Sequence, residues 1–170
     1  EVAYSLTHLA ACLLKQDKVD EAEKLYEQAL AMRRALSKGE DSIEVAASLN
    51  NMAKPASVRG DYAKAEQYLR ASDAMIEKLR GAEDPNAVIA ALNLAVCLLD
   101  QGKAEEAMPL LRHAHKRRGE MYRSGHPLLA NSQIALARGL FETERSEAAA
   151  AMANEAVIWM EAKTPGATPE

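Results

Sequence analysis

Aromatic residues are scarce in this sequence: one tryptophan, one phenylalanine and five tyrosines make up 4% of 170 residues. Its apolar content is therefore small or aliphatic, which suits close helix packing and offers no ring-lined pocket for a particular ligand. No apolar run approaches the roughly 18 residues of a membrane span, and no signal-peptide pattern precedes the first helix. Charge of one sign is also lacking. The net charge of −4 is too small to declare a nucleic-acid or membrane partner, and only residues 87–128 are basic. No glycine-rich loop follows a strand, and no serine, cysteine or lysine stands in a motif that would activate it as a nucleophile, so the chain reads as non-enzymatic and without a cofactor. His113 and His115, two apart on a helix, point in different directions with no carboxylate or cysteine at ligand spacing, so no metal site is expected. Cysteine is limited to Cys12 and Cys97. The two occupy one position of two repeats and should lie beyond the roughly 7 Å Cα limit for a disulfide. Both are expected as buried thiols, which favours a reducing compartment such as the cytoplasm or an organelle stroma.

What is present is repetition. Residues 94–107 recur almost verbatim at residues 9–22, 85 positions earlier, and two weaker copies fall where a period of 42 to 43 puts them. Repeats are expected at 1–43, 44–86, 87–128 and 129–163, followed by a disordered tail at 164–170. Within the first, Leu6, Leu9, Ala10 and Leu13 form one helical stripe. An Asp17-Lys18 turn follows, and Ala22, Leu25, Tyr26, Ala29 and Leu30 form a second stripe. Helices joined by so short a turn make an antiparallel hairpin. Gly39, Gly81 and Gly125 punctuate the hairpins. Asp41 with Glu44 reads as a capping box, and Asp84-Pro85 and His126-Pro127 read as helix starts. Alanine holds the close approaches: Ala10, Ala53, Ala95 and Ala137 on first helices, Ala22, Ala65, Ala107 and Ala149 on second ones. The chain opens at Glu1 already inside a helical pattern, as a fragment would.

This lattice, with Leu-Ala in the first helix and Glu-Ala after a glycine turn, resembles the tetratricopeptide repeat over nearly the whole chain. The period of 42 to 43, the Leu49-Asn50-Asn51-Met52-Ala53 string and the Gly-x-x-Asp-Pro and Gly-His-Pro linkers look like the longer kinesin-light-chain type. The resemblance implies an all-α fold, a right-handed α-solenoid of four helical hairpins and eight helices. It also implies a protein-interaction module, acting as adaptor, scaffold or regulator, whose first helices line a groove for a peptide or amphipathic helix of a partner protein. Carried over position by position, the expected groove residues are Asn50, Asn51, Lys54, Leu92, Asn93, Val96, Leu99, Asn131, Ile134, Arg138 and Phe141. Asn51 and Asn93 match the asparagine that in family members bonds a ligand's backbone, using an amide that donates and accepts. With Lys54 and Arg138 as the groove's only cations, an acidic C-terminus is not the expected ligand.

Three features stand outside the pattern. Pro55 sits inside a first helix, where it cannot donate to the Asn51 carbonyl; it either bends the array or opens that carbonyl to a ligand. The basic run Arg112, Lys116, Arg117, Arg118 and Arg123 is either a solvated helix end or a surface for nucleic acid or an acidic partner. The last helix, with its alanine run and the cluster Val157-Ile158-Trp159-Met160, lacks the polar cap that repeat arrays need, so self-association through it is the alternative function.

Overall fold

A computed structural model describes residues 1–123, 126–144 and 147–162. Among these residues the chain forms eight α-helices and no strand: α1 Val2–Lys15, α2 Val19–Leu36, α3 Ile43–Val58, α4 Tyr62–Arg80, α5 Pro85–Asp100, α6 Ala104–Met121, α7 Pro127–Glu144 and α8 Glu147–Ala162. The expected tail at 164–170 and Gly125 lie outside the described residues. The chain divides into two compact units, Glu1–Cys97 and Leu98–Glu170.

Each of the first three hairpin turns is three residues long, and its sharpness comes from one residue in the left-handed region. Gly60 and Gly102 take it at φ 77° and 73°, and Asp17 takes it in the first repeat at φ 60°. Glycine enters that region without a Cβ penalty, and aspartate is one of the few other residues that tolerate it. Helix starts are chemically marked too. The α3 cap is Ser42, whose hydroxyl accepts from the Val45 N–H at 3.2 Å, and not Asp41. Asp41 instead accepts from Lys78 Nζ at 2.7 Å. Serine wins because it sits directly before the first helical residue, where its short hydroxyl reaches back over the first turn. Asp61 caps α4 through the Lys64 N–H at 3.1 Å, and Pro85 and Pro127 begin α5 and α7.

In the first unit, α2 lies between α1 and α3. Ala10, Ala22, Tyr26, Leu30, Val45, Leu49 and Met52 form its main core. A second cluster joins α3, α4 and α5 through Ala46, Ile76, Ala87 and Ala90. All eight alanines of the lattice are buried, as their spacing demands. Ser72, fully buried in α4, donates to the Ala46 carbonyl at 2.8 Å and so bonds α4 to α3 through the core. In the second unit α6 packs on α7 so tightly that a Cβ at Gly139 would stand 2.6 Å from Leu111 Cδ1 and 2.9 Å from Met108 Sδ. Pro55 continues α3 without ending it, and its ring is buried in the core.

The thiols differ from expectation. Neither cysteine is in a disulfide, but only Cys97 is buried and Cys12 is exposed. Cys97 lies on a helix face covered by neighbours, whereas the same face of α1 is open.

Candidate partner-binding surface

In the first unit the chemistry gathers on α3 and α5. Asn93 donates from Nδ2 to Asn50 Oδ1 at 2.9 Å. Asn50 also lines a cleft of about 70 Å³ with Ile43, Ala47, Ser72, Ile76, Asn86, Ile89 and Ala90. The cleft lining is mostly aliphatic, and Asn50 within it, bonded to Asn93 beside it, carries an amide able to address a peptide backbone. Asn51 points its chemistry elsewhere, accepting from Lys54 Nζ at 2.8 Å within α3. Lys54 keeps exposed surface, yet desolvation holds its ammonium below the ordinary lysine value of 10.5.

Of the expected groove residues in this unit, Asn50, Asn51, Asn93 and Val96 are half-buried and Lys54 is exposed. Leu92 is 6% exposed and belongs to the core, as does Leu99 in the second unit at 2%. They occupy the places of Asn50 and Ser57 one repeat on, where an amide or hydroxyl stays half-exposed while leucine turns into the packing. The asparagine pair also differs from the register match. Asn93 bonds Asn50, 43 residues away, and not Asn51.

In the second unit, Asn131, Ile134, Arg138 and Phe141 fall along one face of α7 and are exposed, Phe141 at 63%. Arg138 is already engaged. Its guanidinium donates to Asp100 at 2.6 Å and to Glu142 at 2.7 Å, and the hydrogen bond to Asp100 is the main reason its pKa rises. The face is thus apolar and amide in character, with a neutralised cation.

The basic run separates into two kinds of residue. Arg112, Lys116 and Arg123 are exposed, and Arg117 pairs with Glu120. Arg118 is 4% exposed and donates to the Leu128 carbonyl at 2.7 Å, and burial lowers its pKa. Arg33 makes the corresponding bond in the first unit, to the Glu44 carbonyl at 3.4 Å, and adds one to Ser48 Oγ at 2.6 Å. The 85-residue spacing of Arg33 and Arg118 equals that of the two best-preserved repeats, so the signal was in the sequence and is masked by the neighbouring charges. His115 Nδ1 lies 3.4 Å from Ser132 Oγ, and His126 accepts from the Leu128 N–H while stacking on Tyr122 at 4.2 Å.

Among the described residues no cluster of three or more histidine, cysteine or acidic side chains could hold a metal ion, and no helix is long and apolar enough to cross a membrane. The Ile158 side chain is 66% exposed on α8, while those of Val157, Trp159 and Met160 lie outside the described residues. A feature that no motif predicted is the ion-pair group around Glu23. Arg59 reaches both Asp20, at 2.6 Å, and Glu23, at 2.5 Å, and Lys64 adds a third link at 3.1 Å.

The sequence matches the family model described as tetratricopeptide repeat over residues 1–78, 56–120 and 88–157. No curated protein matches it. Among solved structures, the nearly identical TPR-like repeats of a Podosopora anserina kinesin light chain superpose with a TM-score of 0.68. They share 23% identity, over 96% of this chain and 77% of that one. A variant of the same repeats gives 0.71 at 24% identity, covering 94% and 75%. BtubC (BKLC) from P. vanneervenii gives 0.77 at 21% identity, over 99% of this chain and 66% of that one. With all three family matches together running from residue 1 to 157, and with its fold that of kinesin-light-chain-type repeats, the chain belongs to the tetratricopeptide repeat family.

Proposed function

We propose that the chain is a protein-binding adaptor or scaffold, and that the face formed by α3 and α5 holds an extended or helical segment of a partner protein. Arrays of this family are protein-interaction scaffolds, and the observation that carries the finer reading is the Asn50–Asn93 amide pair beside an aliphatic cleft. That pair uses one donor of Asn93 and one acceptor of Asn50. The Asn50 amide N–H groups and the Asn93 carbonyl are then presented together, which is the donor-acceptor set an extended backbone requires. The cleft takes one small aliphatic side chain, while Val96 and Ile89 extend the apolar surface. The α7 face, with Ile134, Phe141 and Asn131, offers the same mixture in the second unit.

Selection of a displayed random-peptide library on the whole chain tests this reading. Enriched peptides should share an aliphatic anchor and should bind at least tenfold more weakly to an Asn50→Ala, Asn93→Ala variant that melts cooperatively. Peptides that bind both chains equally would overturn it.

A further inference from the structure

The outer face of α6 carries residues that the repeat does not call for. Pro109, Arg112, Lys116 and Gly119 follow one another at helical spacing, all exposed, and exposed Arg123 lies two residues past the helix end. In the matching repeat, 85 residues earlier, α2 has Lys24, Glu27, Ala31 and Arg34 at the four helical places. Arg112 and Lys116 also precede the last turn of α6, so attraction to the negative helix end does not account for them.

Three features of this face bear on what it takes. Lys116 and Arg123 have no carboxylate partner among the described residues, whereas Glu120 beside them is tied to Arg117. Pro109 stands inside α6 and has no N–H, so the Glu105 carbonyl is left without its donor in the helix ladder. Both residues line a cleft of about 500 Å³ together with Met108, Arg112 and Thr143. Gly119 weakens the helix, and nothing stands within 4 Å of a Cβ added there, so no close packing among the described residues explains it.

We propose that this face of α6 holds an extended, acidic segment of another protein. An extended segment has backbone N–H groups to give to the Glu105 carbonyl, which the interior of a partner helix does not. Its same-side side chains are spaced about 6.8 Å apart, close to the rise of about 6 Å between Arg112 and Lys116, so acids at alternate positions meet both cations. Arg123 takes a third acid, and Gly119 lets the backbone pass close to the helix. The chain's own acids at alternate positions, Glu21 with Glu23 and Glu142 with Glu144, lie within α2 and α7, so neither this chain nor a second copy supplies the segment. The inference is independent of the α3 and α5 face.

A fluorescein-labelled peptide of sequence Ser-Glu-Thr-Glu-Thr-Glu-Ser, titrated into the whole chain at low salt and followed by anisotropy, tests it. Affinity should fall at least tenfold on Lys116→Glu and at least fivefold on Gly119→Leu, although the second variant should melt no lower than the wild type. Both residues are exposed, so neither change touches the core. The Asn50→Ala, Asn93→Ala variant should bind as the wild type does. Absence of saturable binding to the wild type would overturn the proposal, as would an affinity unchanged in either α6 variant or lost in the asparagine variant. A hydrocarbon-stapled helix of the same composition that binds as tightly would overturn the extended conformation. A ten-uridine RNA that binds more tightly than the peptide and is lost on Lys116→Glu would overturn the proposal in favour of nucleic acid.

Discussion

Asn93 Nδ2 donates to Asn50 Oδ1 across 2.9 Å, so two half-buried amides 43 residues apart form one rung between α3 and α5. A neutral hydrogen bond of this kind contributes about 0.5–1.5 kcal/mol, and loss of one partner leaves the other half-desolvated. A double-mutant cycle of Asn50→Ala and Asn93→Ala, read by urea unfolding, should therefore give a coupling of about 0.5–1 kcal/mol. A coupling indistinguishable from zero would mean that the two amides are held by their helices alone.

The alanine lattice predicts a sharp contrast between neighbouring positions. Ala65 is fully buried and Ala63, two residues earlier on the same helix, is exposed. Ala65→Leu should cost about 1–3 kcal/mol through overpacking, whereas Ala63→Leu should change stability by less than about 0.5 kcal/mol. Thermal melts of the two variants side by side decide the matter, and equal losses would contradict the close helix approach.

Glycine substitutions should go in opposite directions. Gly60 sits at φ 77° in a hairpin turn, and Gly119 lies exposed in α6 with nothing within 4 Å of an added Cβ. Gly60→Ala should lose about 1 kcal/mol to left-handed strain, while Gly119→Ala should gain about 0.5–1 kcal/mol of helix propensity. Denaturant midpoints moving in the same direction would refute the assignment.

Glu23 of α2, paired with Arg59 of the α3–α4 turn and Lys64 of α4, makes part of the stability of the first unit dependent on pH. Burial acts first and raises its pKa, but hydrogen bonds from Arg59 and then Lys64 outweigh it, and the carboxyl ends below its ordinary value of 4.5. A depressed folded-state pKa means that the stabilisation is fully present above 4.5 and is lost as pH falls through the folded value. The wild type should therefore lose more stability than Glu23→Gln between pH 6 and pH 3, in a comparison of urea midpoints at each pH. Parallel pH profiles would show that the ion-pair group contributes nothing.

Much of the fold was legible because each hairpin repeats the same few constraints. Alanine at the close approaches, a left-handed residue in the turn and proline at helix starts fix the helices, since each answers a steric demand of its own. The misplacements came where two residues compete for one role. Ser42 and Asp41 both resemble caps, and only the one bordering the helix can reach its N–H groups. Asn50 and Asn51 both sit where a groove amide belongs, and helix rotation rather than repeat register decides which faces Asn93. Cys12 shares its position with Cys97, yet burial depends on the neighbouring helix and not on the residue. Arg118 looked like one charge among several because a basic run hides which member turns inward.

Gly139 has a consequence of another kind. The ends of the Leu111 and Met108 side chains occupy the volume that a side chain at 139 would take, so the absent side chain is itself part of the fit. An alanine at 139 requires the ends of those two flexible side chains to shift. The three positions are therefore coupled, so that the effect of a substitution at 139 depends on which side chains stand at 108 and 111.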